Sequence, residues 1–141
     1  MEGDEYMRID EDSIFFDDDQ LAWYQGKLYT GIAYSLYPDG SLARETQYVD
    51  GYQEGPERTW GKQGQLLSES RYHRNVLHGD LHEWYEDGSV KIRAKYEYGV
   101  ELEHDSWAEG KADAPETSRR LKEGSVQAAL LADLRRLHSR Q

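Results

Sequence analysis

A chain of 141 residues with 37% hydrophobic and 12% aromatic content fits one domain, and a mean hydropathy of -0.98 makes its core thin. The formal net charge of -11 argues against nucleic acid, where affinity comes from neutralising phosphates, and against an anionic lipid surface. The absence of cysteine excludes disulfides and thiolate metal or redox chemistry, and no basic-then-apolar leader or run of about 18 apolar residues is present, so a cytoplasmic protein is expected.

The first 20 residues hold nine acids against one base, Arg8, and residues 1–15 read as an acidic, solvated tail, with a decoy surface for a basic partner as the functional alternative. The run Ser13-Ile14-Phe15-Phe16 interrupts the acids and is expected to begin a first strand. Counting back one period from Tyr48 reaches Tyr24, which makes Asp17 to Tyr24 the second strand of a degenerate capping hairpin.

From Gly31 to Leu102 the chain repeats without a gap in three blocks of 24 residues, 31–54, 55–78 and 79–102. Gly31, Gly55 and Gly79 head the blocks, Gly40, Gly64 and Gly88 recur, and so do Leu42, Leu66 and Val90, then Tyr48, Tyr72 and Tyr96. A fixed period of this size is the mark of a repeat architecture in which each unit buries its apolar face against its neighbours. Asp39-Gly40 and Asp87-Gly88, with Gln63-Gly64 between them, lie between short runs rich in aromatic and branched residues, so each block is expected to be a β-hairpin with a tight turn. A side-chain period of two assigns Leu36, Trp60 and Trp84, with Leu42, Leu66, Val90 and the three tyrosines, to one core face. Glu45, Glu69, Arg93, Gln47, Arg71 and Lys95 fall on the opposite, wet face. The pattern continues to Trp107 as one more closing strand, so the repeat sheet spans 16–108.

Residues 109–117, with Pro115, read as a linker, and 118–141 as a C-terminal amphipathic α-helix with an apolar stripe at Val126, Leu130, Leu134 and Leu137 and an N-cap at Ser125. Gly124 is expected to separate a shorter helix around 118–123. Residues 111–141 carry a net charge of +3, opposite in sign to everything before them. The helix is expected to pack on the sheet end or an edge strand, with docking of a partner or a second copy as the alternative.

The pattern G-x-x-x-x-W/Y…x-D/N-G-x-L…Y-x-x-G resembles the bacterial variant of the MORN repeat, and Trp23-Tyr24-Gln25-Gly26-Lys27-Leu28-Tyr29-Thr30-Gly31 is similar to the opening of the YwqK-like antitoxin family. The resemblance covers roughly residues 16–107 and departs from the pattern at Gly61, where the other blocks have Tyr37 and Tyr85, and at Asn75, where they have Gly51 and Gly99. It implies a mainly β fold, an open twisted antiparallel meander of hairpins, and for many members a role as antitoxin or immunity partner of a toxin.

No catalytic signature is legible: G-x-S-x-G, P-loop, G-x-G-x-x-G and zinc-protease motifs are all absent. His73, His78, His82 and His104 are dispersed; His78 and His82, four apart on a strand, would be separated by about 13 Å. Neither a metal nor a cofactor is expected, and no catalytic residue is assigned. What remains is recognition of a protein partner, a basic toxin in the reading the resemblance favours, with acids steering the encounter and aromatics anchoring it. The expected contact surface is an acidic, aromatic sheet face, the wet face with the turns that border it, and its expected residues are Tyr37, Glu45, Glu57, Glu69, Glu83, Tyr85, Glu86 and Asp87. Two other classes stand beside this one: a scaffolding module, and a small enzyme or accessory factor of peptide or natural-product modification that would need a pocket between sheet and helix.

Overall fold

The computed structural model describes residues 6–111 and 113–139. Nine strands form one open sheet: β1 (Arg8–Asp10), β5 (Gly31–Leu36), β6 (Leu42–Val49), β7 (Tyr52–Trp60), β8 (Leu66–His73), β9 (Val76–Trp84), β10 (Val90–Glu97), β11 (Val100–Ser106) and β12 (Thr117–Arg120). A separate three-stranded sheet comprises β2 (Phe15–Phe16), β3 (Ala22–Tyr24) and β4 (Lys27–Leu28), and helix α1 spans Val126–His138. From β5 to β12 each strand is antiparallel to its predecessor, so the repeat is the hairpin meander that the period predicts; β1 alone joins in parallel, beside β5.

The two ends of the hairpins use different turn chemistry. At Asp50-Gly51, Arg74-Asn75 and Tyr98-Gly99 both residues have positive φ, 50° and 84°, 46° and 74°, 48° and 82°, the requirement of a two-residue type I′ turn. The two Asp-Gly sites and Gln63-Gly64 at the other end form wider loops, closed by Tyr37 N–H to Ser41 O, Gly61 N–H to Gln65 O and Tyr85 N–H to Ser89 O, each 2.8 Å, with Gly40, Gly64 and Gly88 at positive φ. Such a loop brings a bulge with it. Ser35 opposes Arg44 but Leu36 opposes Leu42, and the same one-residue shift recurs between Thr59 and Trp60 and between Glu83 and Trp84.

That bulge corrects the expected core face. An extra residue reverses the in-out alternation, so Leu36, Leu42, Trp60, Leu66, Trp84 and Val90 lie on the face opposite Tyr48, Tyr72 and Tyr96. Counting by two through the strands had placed all nine together. The tyrosine face is the better covered: Ile9, Ala33, Thr46 and Ala94 of one row across the sheet are buried, while Leu36 on the other face is 48% exposed.

The N-terminal stretch departs from the expected capping hairpin. Three consecutive aspartates favour a side-chain-closed turn over a strand. Asp17 Oδ1 accepts from the N–H groups of Asp19 at 2.9 Å and Leu21 at 3.0 Å, and its Oδ2 accepts from Trp23 Nε1 at 2.7 Å. Only Ala22–Tyr24 is extended, in the small sheet, which packs on the first hairpin around Ile9, Ala22, Tyr29, Ala33 and Tyr48. Gly31 is required there, since a Cβ would lie 2.5 Å from Tyr29 Oη and 2.6 Å from Met7 O. Arg8–Asp10, assigned to the tail in the sequence, is a sheet strand; Glu2, Asp4 and Glu5 of that tail lie outside the described residues.

The C-terminal segment also divides differently. Thr117–Arg120, expected as linker end and short helix, is β12, because Arg119 and Arg120 reach across to Glu101 and Asp105 of β11. Helix α1 then starts after Ser125, whose hydroxyl accepts from Ala128 N–H at 3.1 Å as the N-cap reading requires. The helix packs at the I′-turn end of the sheet, where His138 stacks on Tyr98 with ring centres 4.2 Å apart and Arg135 Nη2 bonds Glu97 Oε1 at 2.8 Å. Its buried residue is Leu131, 2% exposed; Val126, Leu130 and Leu137 of the expected stripe are exposed.

Candidate protein-recognition surface

The expected contact residues are distributed over three places. Glu45 and Glu69 stand on the wet face in a row of paired positions running Asp10, Tyr34, Glu45, Arg58, Glu69, His82, Arg93, Asp105 and Ser118 across all nine strands. Charge alternates along much of this row. Arg8 bonds Glu45 at 2.5 Å, Arg58 bonds Glu69 at 2.5 Å, and Arg120 bonds Asp105 at 3.0 Å. The face expected to be acidic is therefore self-neutralised over much of its width, since cross-strand pairs of opposite sign satisfy one another. Arg58 was the unread signal, one strand before Glu69 and directly opposite it.

Glu57 and Glu83 are on the other face. Glu57 accepts from Thr46 Oγ1 at 3.0 Å and Gln53 Nε2 at 3.2 Å, in the middle of the tyrosine face. Burial, with Glu57 adding to it, pushes the Tyr48 phenol up to about 12, and burial pushes Tyr29 to about 12 as well. Glu83 lies 4.0 Å from Lys91 Nζ. Neither glutamate shares a surface with Glu45 or Glu69.

Tyr37, Tyr85, Glu86 and Asp87 are at the wide-loop end of the hairpins. Tyr37 Oη donates to Trp60 O at 2.6 Å, and Tyr85 Oη donates to Trp107 O at 2.9 Å, so each tyrosine braces its loop against the next hairpin. Their hydroxyls are committed within the fold. The loops themselves present Asp39, Glu86, Asp87 and Glu109, which make no ion pair among the described residues. Asp39 and Asp87 are held below the usual carboxylate range by the Ser41 and Ser89 side chains and main-chain N–H groups that bond them. Between these loops lies a notch of about 610 Å³ lined by Tyr37, Gly61, Lys62, Leu67, Glu86 and Glu109. Sequence reading marked Gly61 as a departure from the repeat without assigning it a consequence.

Of the histidines, His73 and His78 are in contact with each other. His73 Nδ1 lies 3.0 Å from Glu54, His78 Nδ1 accepts from Tyr98 N–H at 2.9 Å, and the two rings are 5.7 Å apart. His104 Nδ1 is buried without a hydrogen bond, 3.5 Å from Glu101 Oε2 but outside bonding geometry. Among the described residues no group of three or more His, Cys, Asp or Glu is arranged to hold a metal ion, and no helix is long and apolar enough to cross a membrane.

No family model matches the chain, and no curated protein matches it.

Proposed function

We propose that the chain is a non-catalytic protein-binding module, an antitoxin or immunity protein that neutralises a basic toxin through the acidic loops at the wide end of its hairpins. The observation that supports this reading is the placement of the uncompensated charge. On the sheet face Glu45 and Glu69 are ion-paired, whereas Asp39, Glu86, Asp87 and Glu109 project from the loops at one end of the hairpins and make no ion pair among the described residues, with Lys62 of the middle loop as the cation between them. A net excess of carboxylates on a rigid scaffold steers a basic partner and raises its association rate. The resemblance of the repeat to bacterial MORN-variant antitoxins agrees with this role.

The test is co-expression with the product of the adjacent reading frame, followed by association kinetics. The neighbour is expected to be toxic alone, to be neutralised by this chain, and to bind with an on-rate that falls about tenfold as salt rises. Glu86→Gln with Glu109→Gln should flatten that salt dependence, and Glu45→Gln with Glu69→Gln should flatten it less. A neighbour that is neither toxic nor bound overturns the reading.

A further inference from the structure

The three wide loops share one backbone but not one filling. Besides their closing bonds, Gly40, Gly64 and Gly88 donate back to residues 37, 61 and 85 at 2.8, 3.0 and 2.9 Å. In the first loop and the third a tyrosine ring crosses to the next hairpin and its hydroxyl ends on a carbonyl oxygen, Trp60 O or Trp107 O. In the second loop the tyrosine position is Gly61, and among the described residues no side chain donates to Trp84 O, the equivalent acceptor.

Glycine is not demanded by the backbone at this position. Gly61 does not adopt a left-handed φ, and the atoms a Cβ would meet are the side-chain end of Gln65, at 2.7 to 2.8 Å. Gln65 stands where the flanking loops have Ser41 and Ser89, and it folds back so that its Oε1 accepts from Gln63 N–H at 3.1 Å. The absent ring leaves the notch, lined by Leu67 and by Glu86, Asp87 and Glu109 against a single cation, Lys62; Leu67 and Glu86 also line the neighbouring depression that contains Trp84.

We infer that this notch is a socket for a tyrosine side chain of a protein partner, whose ring lies on Leu67, whose hydroxyl donates to Trp84 O, and whose neighbouring basic residue meets Glu86 and Glu109. The two filled loops are the template for the occupant, because the same fold twice seats a phenol in the equivalent place. The acidic rim sets the sign of the flanking residue. This inference rests on the loop row being a recognition surface, but not on the partner being a toxin.

The test uses p-cresol as the phenol and 4-methylanisole as the same ring without a donor, each titrated into the isotope-labelled full chain and followed by amide shifts. p-Cresol should bind in the millimolar range with saturating shifts at Gly61, Leu67 and Glu86, and 4-methylanisole about tenfold more weakly, the loss of one hydrogen bond to the Trp84 carbonyl. Gly61→Tyr with Gln65→Ser rebuilds the flanking loop sequence and should abolish the p-cresol shifts while raising the Tm. Absence of saturating shifts in the native chain, equal binding of the two probes, or p-cresol shifts that persist in the rebuilt loop would overturn the socket. Because the native chain is compared with two probes, the result does not depend on the variant folding. A toxin bound equally by the native and rebuilt chains, with no p-cresol binding, would overturn the socket and leave the proposed function standing. Phenol binding without a toxic neighbour would do the reverse.

Discussion

Asn75 holds a φ of 74° in the middle I′ turn, at the position where the flanking turns have glycine. Asparagine tolerates this region because its short polar side chain bonds locally, and here Oδ1 accepts from Gln53 N–H at 2.7 Å while Nδ2 donates to Gln20 O at 3.3 Å. Asn75→Ala removes both bonds and leaves a Cβ with nothing to offset the strain, a cost of about 1–3 kcal/mol. Asn75→Gly loses the same bonds but relieves φ, so its cost should be smaller, and urea midpoints of the two variants measure the difference. Equal losses would assign the whole effect to the bonds. This residue was legible in the sequence, since the repeat register showed that a glycine position had been filled by the next most tolerant residue. Tyr37 and Tyr85 were less legible: the pattern showed that they recur, but not that their hydroxyls end on the main chain of the following hairpin.

At the scale of elements, β12 and α1 are held to the sheet by charge as much as by apolar contact. Arg119 bonds Glu101, Arg120 bonds Asp105 and Arg135 bonds Glu97, so the +3 segment spends three of its bases within the molecule. Each of these arginines, by its hydrogen bonds, holds its carboxylate below the ordinary value, 4.5 for Glu97 and Glu101 and 3.8 for Asp105. A carboxylate with a lowered pKa in the folded state contributes stability above its unfolded value, and that contribution is lost as pH falls through the folded value. Acidification below about pH 4 should therefore release residues 117–139 before the central hairpins open, read as early amide exchange in β12 and α1 with β7 to β9 still protected. Simultaneous exchange of all strands would contradict this order. The reversal of charge between the tail and the rest was plain in the sequence, yet it did not disclose β12. The segment Thr117–Arg120 lacks the apolar alternation of a buried strand and becomes extended beside β11, whose acids Glu101 and Asp105 lie within reach of Arg119 and Arg120. The bulges were hidden for a similar reason: the loop conformation that Asp-Gly favours carries an extra residue, and one residue is enough to exchange the faces.

For the whole molecule, the architecture was readable from the period of 24 because repeat and turn signals agree over three blocks, whereas the placement of the candidate contact residues was not. Acids identical in sequence pattern differ in what faces them across a strand gap: Glu69 meets Arg58 within its own block, whereas Glu45 meets Arg8, which lies outside the repeat altogether. The strand order has a consequence for how the protein comes into being. Since β6 to β12 each add to the strand made immediately before, the sheet can be laid down as the chain leaves the ribosome, and only β1 must wait, unpaired, until β5 emerges beside it. Nascent chains stalled at successive lengths should show pulling events on an arrest sequence that recur with each block of 24 residues, the first once β5 and β6 have cleared the tunnel. A single event at full length would mean that the hairpins wait for one another. The newest hairpin would then always be the exposed edge, and the basic strand β12, the last strand to emerge, would be the final one.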